Sequence, residues 1–424
     1  MSLTIGARTT VSDRAEARRD TFARPVLDSV ELFTGAGGLA LGTHLAGFHH
    51  RLLLEWNADA CNTLQANAAG EAVPGIASWR VLRADARELD FASLGCVDLV
   101  AGGPPCQPFS IGGKHGGWGD TRDMIPQFVR AVRELAPRAF ILENVRGLLR
   151  TTFRSYFSYV VLQLAHPTAT RRDEESWDEH LRRLEELHTS GADAHLGYHV
   201  VFRLLNAADY GVPQTRERVF IVGFRADTGI KWHFPEPTHG RESLLHDQRA
   251  TGDYWERHGL PKQTGSSSWF ASGGFKLTPA PLLPQKPWVT VRDAIADLPE
   301  PRADRDTIDD YTNHRLRPGA RAYQGHTGSP LDWPAKTLKA GDHGVPGGEN
   351  MIAFADGSVR YFTVREAARL QTFPDSWQFT GVWSEAMRQL GNAVPVTLAH
   401  AVAESVAGTL GAVVNGLSIQ SPGV

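Results

Sequence analysis

Positions 102–110 read GGPPCQPFS and place Cys106 between Pro104–Pro105 and Gln107–Pro108, directly after the apolar run VDLVAGG. Proline fixes the backbone and removes amide donors, so this thiol belongs on a stiff turn at a strand end. A purely structural cysteine would more commonly fill space inside a helix or strand. A thiolate at such a turn can add to an electron-poor carbon, and a site that uses it must lower its pKa from about 8.5 or assist its deprotonation. A second chemical stretch is ELFTGAGGLALG, in which Gly35, Gly37 and Gly38 follow one strand and precede a helix. Glycines there let backbone approach a ligand, and helix amides face its polar groups. Glu55 in LLLEWN stands 17 residues past Gly38, where a carboxylate can accept from both ribose hydroxyls. Trp56 can stack on adenine, and Asp85 in RADARE can accept from its amino group. Taken singly these are a surface charge, a core aromatic and a helix cap. At three successive strand ends they describe an adenosine site. Beyond the one glycine turn there is no diphosphate-binding feature, which favours a one-nucleoside cofactor over NAD.

Those groups need a scaffold that brings strand ends together. From residue 28 to 225 the runs SVELF, RLLLE, WRVLRAD, VDLVAGG, AFILENV, HVVFRLLNA and RVFIVGF alternate with helical patterns, which predicts βα units and a mostly parallel sheet. RRDEESWDEHLRRLEELH interrupts them with Trp177, Leu181, Leu184 and Leu187 at near-helical spacing, read as an inserted surface helix within about 166–193. Composition changes at 226. From there to about 345 the chain is rich in Gly, Pro, His, Trp and Ser with little periodicity, and helical patterning returns in VREAARLQTF and in VPVTLAHAVAESVAGTLGAVV. The apolar face of the last segment, at 394, 398, 401, 402 and 405, predicts packing on the sheet. The expected division is a flexible tail over 1–27, a catalytic and cofactor-binding domain over 28–225, a second domain over 226–362, and C-terminal helices over 363–424 that return to complete the first.

A chain of 424 residues with 42% hydrophobic and 21% charged residues is ordinary globular protein, and no apolar run reads as a bilayer span or a signal segment. Three cysteines, Cys61, Cys96 and Cys106, lack paired metal spacing, so neither a disulfide framework nor a metal site is expected. A net charge of −3 gives no global nucleic-acid signature, so any such binding must come from a local patch.

With these motifs in view, the chain resembles the cytosine-C5 DNA methyltransferase family. FTGAGG is similar to its cofactor turn, GGPPCQPFS to its nucleophile loop, ENV at 143–145 to its base-reading motif, QTRERVF at 214–220 to its arginine pair, and QLGNAVPV at 389–396 to its closing cofactor motif. They occur in the family's order over about residues 28–410. The resemblance implies a Rossmann-like S-adenosylmethionine-dependent methyltransferase sheet with a smaller, loop-rich target-recognition domain. It implies methyl transfer to C5 of a flipped-out cytosine in duplex DNA through a covalent Cys106–C6 adduct, leaving S-adenosylhomocysteine. The chemistry agrees: C5 is a poor nucleophile until a thiolate adds at C6, and a stacked base must leave the duplex to react.

Carried onto this chain, the catalytic residues are Cys106, Glu143, Asn144, Arg216 and Arg218. Glu143 would hold the base N3 edge with a raised pKa, Asn144 would fix the loop, and the two arginines, alternating on one face, would reach the base O2 and position the Cys106 loop; their alternative is a surface ion pair with Glu217. Phe33, Gly35, Gly37, Gly38, Glu55, Trp56, Asp85, Pro105 and Asn392 would hold the cofactor. DNA would meet Gln107, Ser110, Arg315, Arg317, Arg321, Lys336, Thr337 and Lys339, with IGGKHGGWGDTRD closing as a lid. The implied setting is the bacterial cytoplasm, as a monomer without a membrane partner, beside a separate cognate restriction endonuclease. Rival readings are a tRNA cytosine-C5 methyltransferase, against which the long recognition region argues, and an inactive DNA-binding relative, against which Cys106, Glu143 and Arg218 argue.

Overall fold

Each of the seven apolar runs becomes a strand of one sheet. The computed structural model describes residues 26–105, 123–191, 196–262, 285–323, 327–340 and 350–414; Cys106, Gln107, Ser110, the glycine-rich loop at 112–119 and the tail before residue 26 lie outside them. The strands are β1 (Leu27–Leu32), β2 (Phe48–Glu55), β3 (Val81–Arg83), β4 (Leu99–Gly102), β5 (Ala139–Val145), β6 (Tyr198–Asn206) and β7 (Glu217–Arg225). They lie in the order β3-β2-β1-β4-β5-β7-β6. All neighbours pair in parallel except β7, which is antiparallel to β5 and to β6. The turn between β6 and β7 is too short for the helical crossover a parallel pair requires.

Register decides where the chemistry gathers. Leu32 pairs with Gly102, and Gly102 with Leu142, so residues 33–38 and 103–105 leave the sheet along the edge where β5 runs on through residues 143–145, paired there with β7. The chain moves outward from β1 to β2 and β3, then returns to β4 on the other side of β1. That reversal makes the crevice where open α/β sheets bind ligands.

Alternation along the buried strands feeds two cores. Leu99 and Ala101 join Leu27, Phe48, Ala139, Ile141 and Phe220 on one face, under α1 (Gly38–Leu45) and α11 (Val396–Val414). Val30, Leu32, Val100, Phe140, Leu142 and Ile221 point to the other face, under α3 (Ile125–Leu135) and α4 (Arg154–Ala165). A third core joins α2 (Ala58–Ala69) to α8 (Val291–Ile295), α9 (Val364–Leu370) and α10 (Trp383–Asn392), around fully buried Trp377. Two short helices, α6 (Arg241–His246) and α7 (Asp253–Arg257), flank a small aromatic cluster of Tyr254 and Trp255 with Trp288 and Trp333.

Several expectations change. The inserted helix is α5 (Trp177–Ser190), started by a capping box between Ser176 and Glu179, but its buried face is His180 and Leu184, while Leu181 and Leu187 are only half-buried. Tyr159 of α4 decides this, its hydroxyl 2.8 Å from His180 Nδ1 and its ring edge against Trp177. The α11 face is Leu398, Ala399, Val402, Ala403, Val406 and Leu410, with residues 401 and 405 half-buried. Contrary to the composition reading, Trp383–Ala412 is long and apolar enough to cross a bilayer by length and composition, yet it is two helices, and α11 is a core helix packed on α1. Packing crosses the break at 226: Ile230, Trp232 and Phe234 pack in the core beneath α11, and Val291, Ile295 and Leu338 in the core with α2.

Candidate active site

The edge of the sheet holds two groups of polar side chains, one on either side of β4. Glu143 and Asn144 end β5, and Arg218 begins β7 opposite Val145, diagonal to Glu143 on the same face. Arg218 Nε lies 2.8 Å from Glu143 Oε1, with both side chains at most one-tenth exposed. Burial pushes the Glu143 carboxyl up in pKa, opposed by Arg218 and then Arg216. Burial favours the protonated carboxyl and the two guanidinium groups the ionised one, opposing influences that suit a group sharing a proton. Asn144 Nδ2 donates to the Pro104 carbonyl at 3.2 Å and its Oδ1 accepts from Val145 N at 2.8 Å, so the amide ties the Gly103–Pro104–Pro105 run to the end of β5. A Cβ on Gly103 would sit 3.0 Å from Glu143 Oε2. That run leads directly into Cys106.

Arg216 stands elsewhere, and its expected reach to a base does not describe it. It is fully buried, donating from Nη1 to the Leu338 carbonyl at 3.0 Å and from Nη2 to the Gly391 and Ala393 carbonyls at 2.6 and 2.9 Å. Burial weighs against its charge, and three carbonyl dipoles offset that cost. Arg216 is therefore a clamp between β7, the 335–340 segment and the turn before α11. Gln214 extends it, accepting from Leu338 N and donating to the Leu370 carbonyl. The surface pairing with Glu217 is also absent: Glu217 meets Arg146.

The second group lines the turn after β1. Glu55 accepts from Gly35 N through Oε2 and from Asn57 N through Oε1, both at 2.7 Å. Its carboxylate is held between the glycine turn and the start of α2, where Asn57 caps the helix by accepting from Ala60 N. Asn57 was not singled out in the sequence, although its place before ADAC carries an N-cap signal. Trp56, beside it, is 61% exposed. Phe33 has a φ of 58° and Gly35 one of 56°, and a Cβ on Gly35 would meet no atom. These features fit a nucleoside: an open backbone turn, an anchored carboxylate with lone pairs to spare, and an uncovered ring.

The other two glycines are required by packing. A Cβ on Gly37 would lie 2.8 Å from Leu64 Cδ2 and 3.1 Å from Trp377, and one on Gly38 only 2.1 Å from the Val394 carbonyl. Asp85 is engaged as well. Arg87 holds it with two nitrogens, its own backbone N–H donates to Oδ1, and this partner keeps the carboxylate below its usual pKa range. Arg87 must move before Asp85 can meet an adenine amino group. Pro105 and Asn392 are exposed.

Of the residues assigned to DNA, Arg315, Arg317 and Arg321 are exposed; Arg315 donates to the Ala303 carbonyl and Arg317 lies 5.5 Å over the Trp383 ring. Lys336 Nζ donates to Thr327 Oγ1. The backbone of Lys339 is held at N–H and C=O by Asn350. Thr337 is half-buried, its hydroxyl donating to the carbonyl of Thr215, two residues before β7, at 2.8 Å. Among the described residues no group of three metal-binding side chains occurs.

Comparison with known proteins places this geometry. The model of the C-5 cytosine-specific DNA methylase family matches residues 27–166 and 192–408, interrupted at α5. The chain is 30% identical over 380 residues to the type II methyltransferase M.NgoMIV of Neisseria gonorrhoeae, covering 89% of this chain and 96% of that protein. It is 34% identical over 390 residues to M.Eco47II of Escherichia coli, covering 89% and 78%. Among solved structures the fold is similar to Dnmt2 of Schizosaccharomyces pombe, at 17% identity and a TM-score of 0.51 over 91% of this chain and 98% of that one.

Proposed function

The chain belongs to the C-5 cytosine-specific DNA methylase family, and from that membership we propose that it methylates C5 of a flipped-out cytosine within a specific duplex DNA sequence, using S-adenosylmethionine and a covalent Cys106–C6 adduct. It is a DNA cytosine-C5 methyltransferase of the type II modification kind. The observation that carries the finer reading is the buried Glu143–Arg218 pair beside the Pro104 carbonyl that Asn144 holds, two residues before Cys106.

In this reading Glu143 presents its carboxyl to the N3 edge of the extruded base and shares a proton with it as the Cys106 thiolate adds to C6. Arg218 sets the orientation of that carboxyl and, as a cation beside the base, favours negative charge developing at its O2. The adduct turns C5 into an enamine carbon. After C5 is methylated, its proton leaves to a base, and the Cys106–C6 bond breaks to restore the aromatic ring. S-adenosylmethionine, when bound, supplies the electrophilic sulfonium methyl. Glu55, Trp56 and the turn at Phe33–Gly35 would hold its nucleoside, with Pro105 and Asn392 at the margins. Arg216 acts by positioning, and the exposed arginines at 315, 317 and 321 meet DNA. A monomer working at the bacterial nucleoid, beside a separately acting endonuclease, completes the proposal.

Labelled-methyl transfer from S-adenosylmethionine to mixed-sequence duplex DNA and to tRNA tests it. Label in duplex DNA as 5-methylcytosine at one recurring sequence supports the reading. Label confined to tRNA, or none with either substrate, overturns it.

A further inference from the structure

From Asn144 to Arg172 the chain carries five arginines and no Asp or Glu. With 47 acidic residues among 424, a run of that length should hold about three, so the positive charge is not internally balanced. Three of the five, Arg146, Arg150 and Arg154, fall within eleven residues of Glu143, and the fold fixes where they stand. β5 ends at Val145 on the edge that bears the candidate active site. Two short turns follow, Arg146–Leu149 and Thr151–Phe153, and α4 then begins. Leu148 anchors them in the core beneath α3 and α4. Tyr156, in the first turn of α4, donates its hydroxyl to Asp123, the first described residue after the segment that contains Cys106. The three arginines therefore border the catalytic edge.

They also differ from most arginines of this chain in what they touch. Arg51, Arg130, Arg183, Arg225, Arg257, Arg292 and Arg369 are tied to carboxylates or carbonyls. Arg146 meets only Glu217, in a pair exposed on both sides. Among the described residues, the side chains of Arg150 and Arg154 have no hydrogen bond or ion pair at all. Arginines left uncompensated beside a site built for a polyanionic substrate match phosphates, which a guanidinium can grip through two N–H groups. We propose that Arg150 and Arg154, with Arg146 released from Glu217, form a phosphate-contacting ridge of the catalytic domain that grips the backbone of duplex DNA beside the extruded base. The ridge rests on the methyltransferase reading for the identity of the polyanion. It contributes affinity and register and no sequence choice, because phosphates are the same at every site.

Equilibrium binding of the full chain to a mixed-sequence duplex oligonucleotide over a range of salt reads this directly, without requiring turnover. Each phosphate contact adds about 0.9 to the slope of log K against log salt. R150Q/R154Q should bind about ten-fold more weakly at low salt and flatten the slope by about 2. R150K/R154K, which keeps the charge, should restore most of both and guards against a folding defect in the glutamine form. R171Q/R172Q removes the same charge from the same acid-free run beyond the far end of α4 and should leave affinity and slope as in the wild type. Equal losses in both glutamine pairs would reduce the effect to net charge and overturn the ridge, as would an unchanged slope in R150Q/R154Q. A wild type that binds duplex DNA with a steep slope but transfers no methyl group would remove the proposed reaction and leave the ridge standing.

Discussion

Glu31 stands one residue before the end of β1, fully buried, with neither carboxyl oxygen in hydrogen-bond geometry with any described residue. Burial raises its pKa well above the ordinary range, and the nearby Ala40 backbone amide, short of hydrogen-bond geometry, lowers it only in part. Near it lies a satisfied histidine: His50 is held neutral, its pKa lowered to about 4 by burial, with Nε2 at 2.9 Å from the Ala40 carbonyl and Nδ1 at 2.9 Å from Ser29 Oγ. If Nε2 donates to that carbonyl, Nδ1 accepts from Ser29. Glu31 has no such answer, and burial favours its protonated form. A raised folded pKa means that its stabilisation is complete below the unfolded carboxyl pKa and is lost as pH rises through the folded value. E31Q should therefore match the wild type in thermal melts near pH 4 and exceed it increasingly above about pH 6; a wild-type melting curve that does not fall relative to E31Q with rising pH would show that Glu31 is ionised and partnered. Reading residue types singled out Glu143, Arg218 and Glu55, and all three stand at strand ends. It did not divide Arg216 from Arg218. They alternate in sequence at the start of β7, Arg216 just before it and Arg218 within it, and the approach of residues 338 and 391–393, more than a hundred positions away, buries the first.

At the scale of elements, α1 and α11 touch backbone to backbone. Gly38 faces the Val394 carbonyl, and Gly42 would place a Cβ 2.4 Å from that of Ala399. The glycine-rich stretch after β1 is thus as much a helix-packing surface as a ligand turn. G38A must push α11 away and should cost about 1–3 kcal/mol in denaturant unfolding. G35A has open space and meets only its left-handed backbone, about 1–2 kcal/mol; its loss should fall on cofactor affinity. Equal unfolding losses with cofactor affinity intact in both would contradict the division. Strand existence was legible because buried parallel strands read as continuous apolar runs. The insert was legible as a helix, though not its buried face, since His180 owes its place to Tyr159 across the α4–α5 contact. That contact, with His166 Nε2 3.0 Å from His188 Nδ1, runs α5 alongside α4 toward the start of β6, away from the catalytic edge.

Across the whole molecule, the region assigned to target recognition is fastened at several places. Trp232 packs beneath α11 and donates from its indole N–H to Ser405 Oγ at 3.0 Å; Thr215 and Thr337, Gln214 and Leu338, and the Arg216 clamp hold its far end. A change in composition marked where loops begin. It could not mark where the core ends, because single aromatics at 232 and 234 carry no periodicity. W232A should cost about 3–5 kcal/mol of global stability in one cooperative transition. A separate low-temperature transition confined to residues 226–362 would restore the independent domain that composition suggested. The central claim is that Cys106 attacks the base, and duplex DNA with 5-fluorocytosine at the methylated position tests it most directly, since fluorine cannot leave C5 as a proton does. With S-adenosylmethionine present, the wild type, C61S and C96S should each form a complex that survives denaturing electrophoresis, and C106S should form none; a denaturation-resistant complex that persists in C106S would contradict the account.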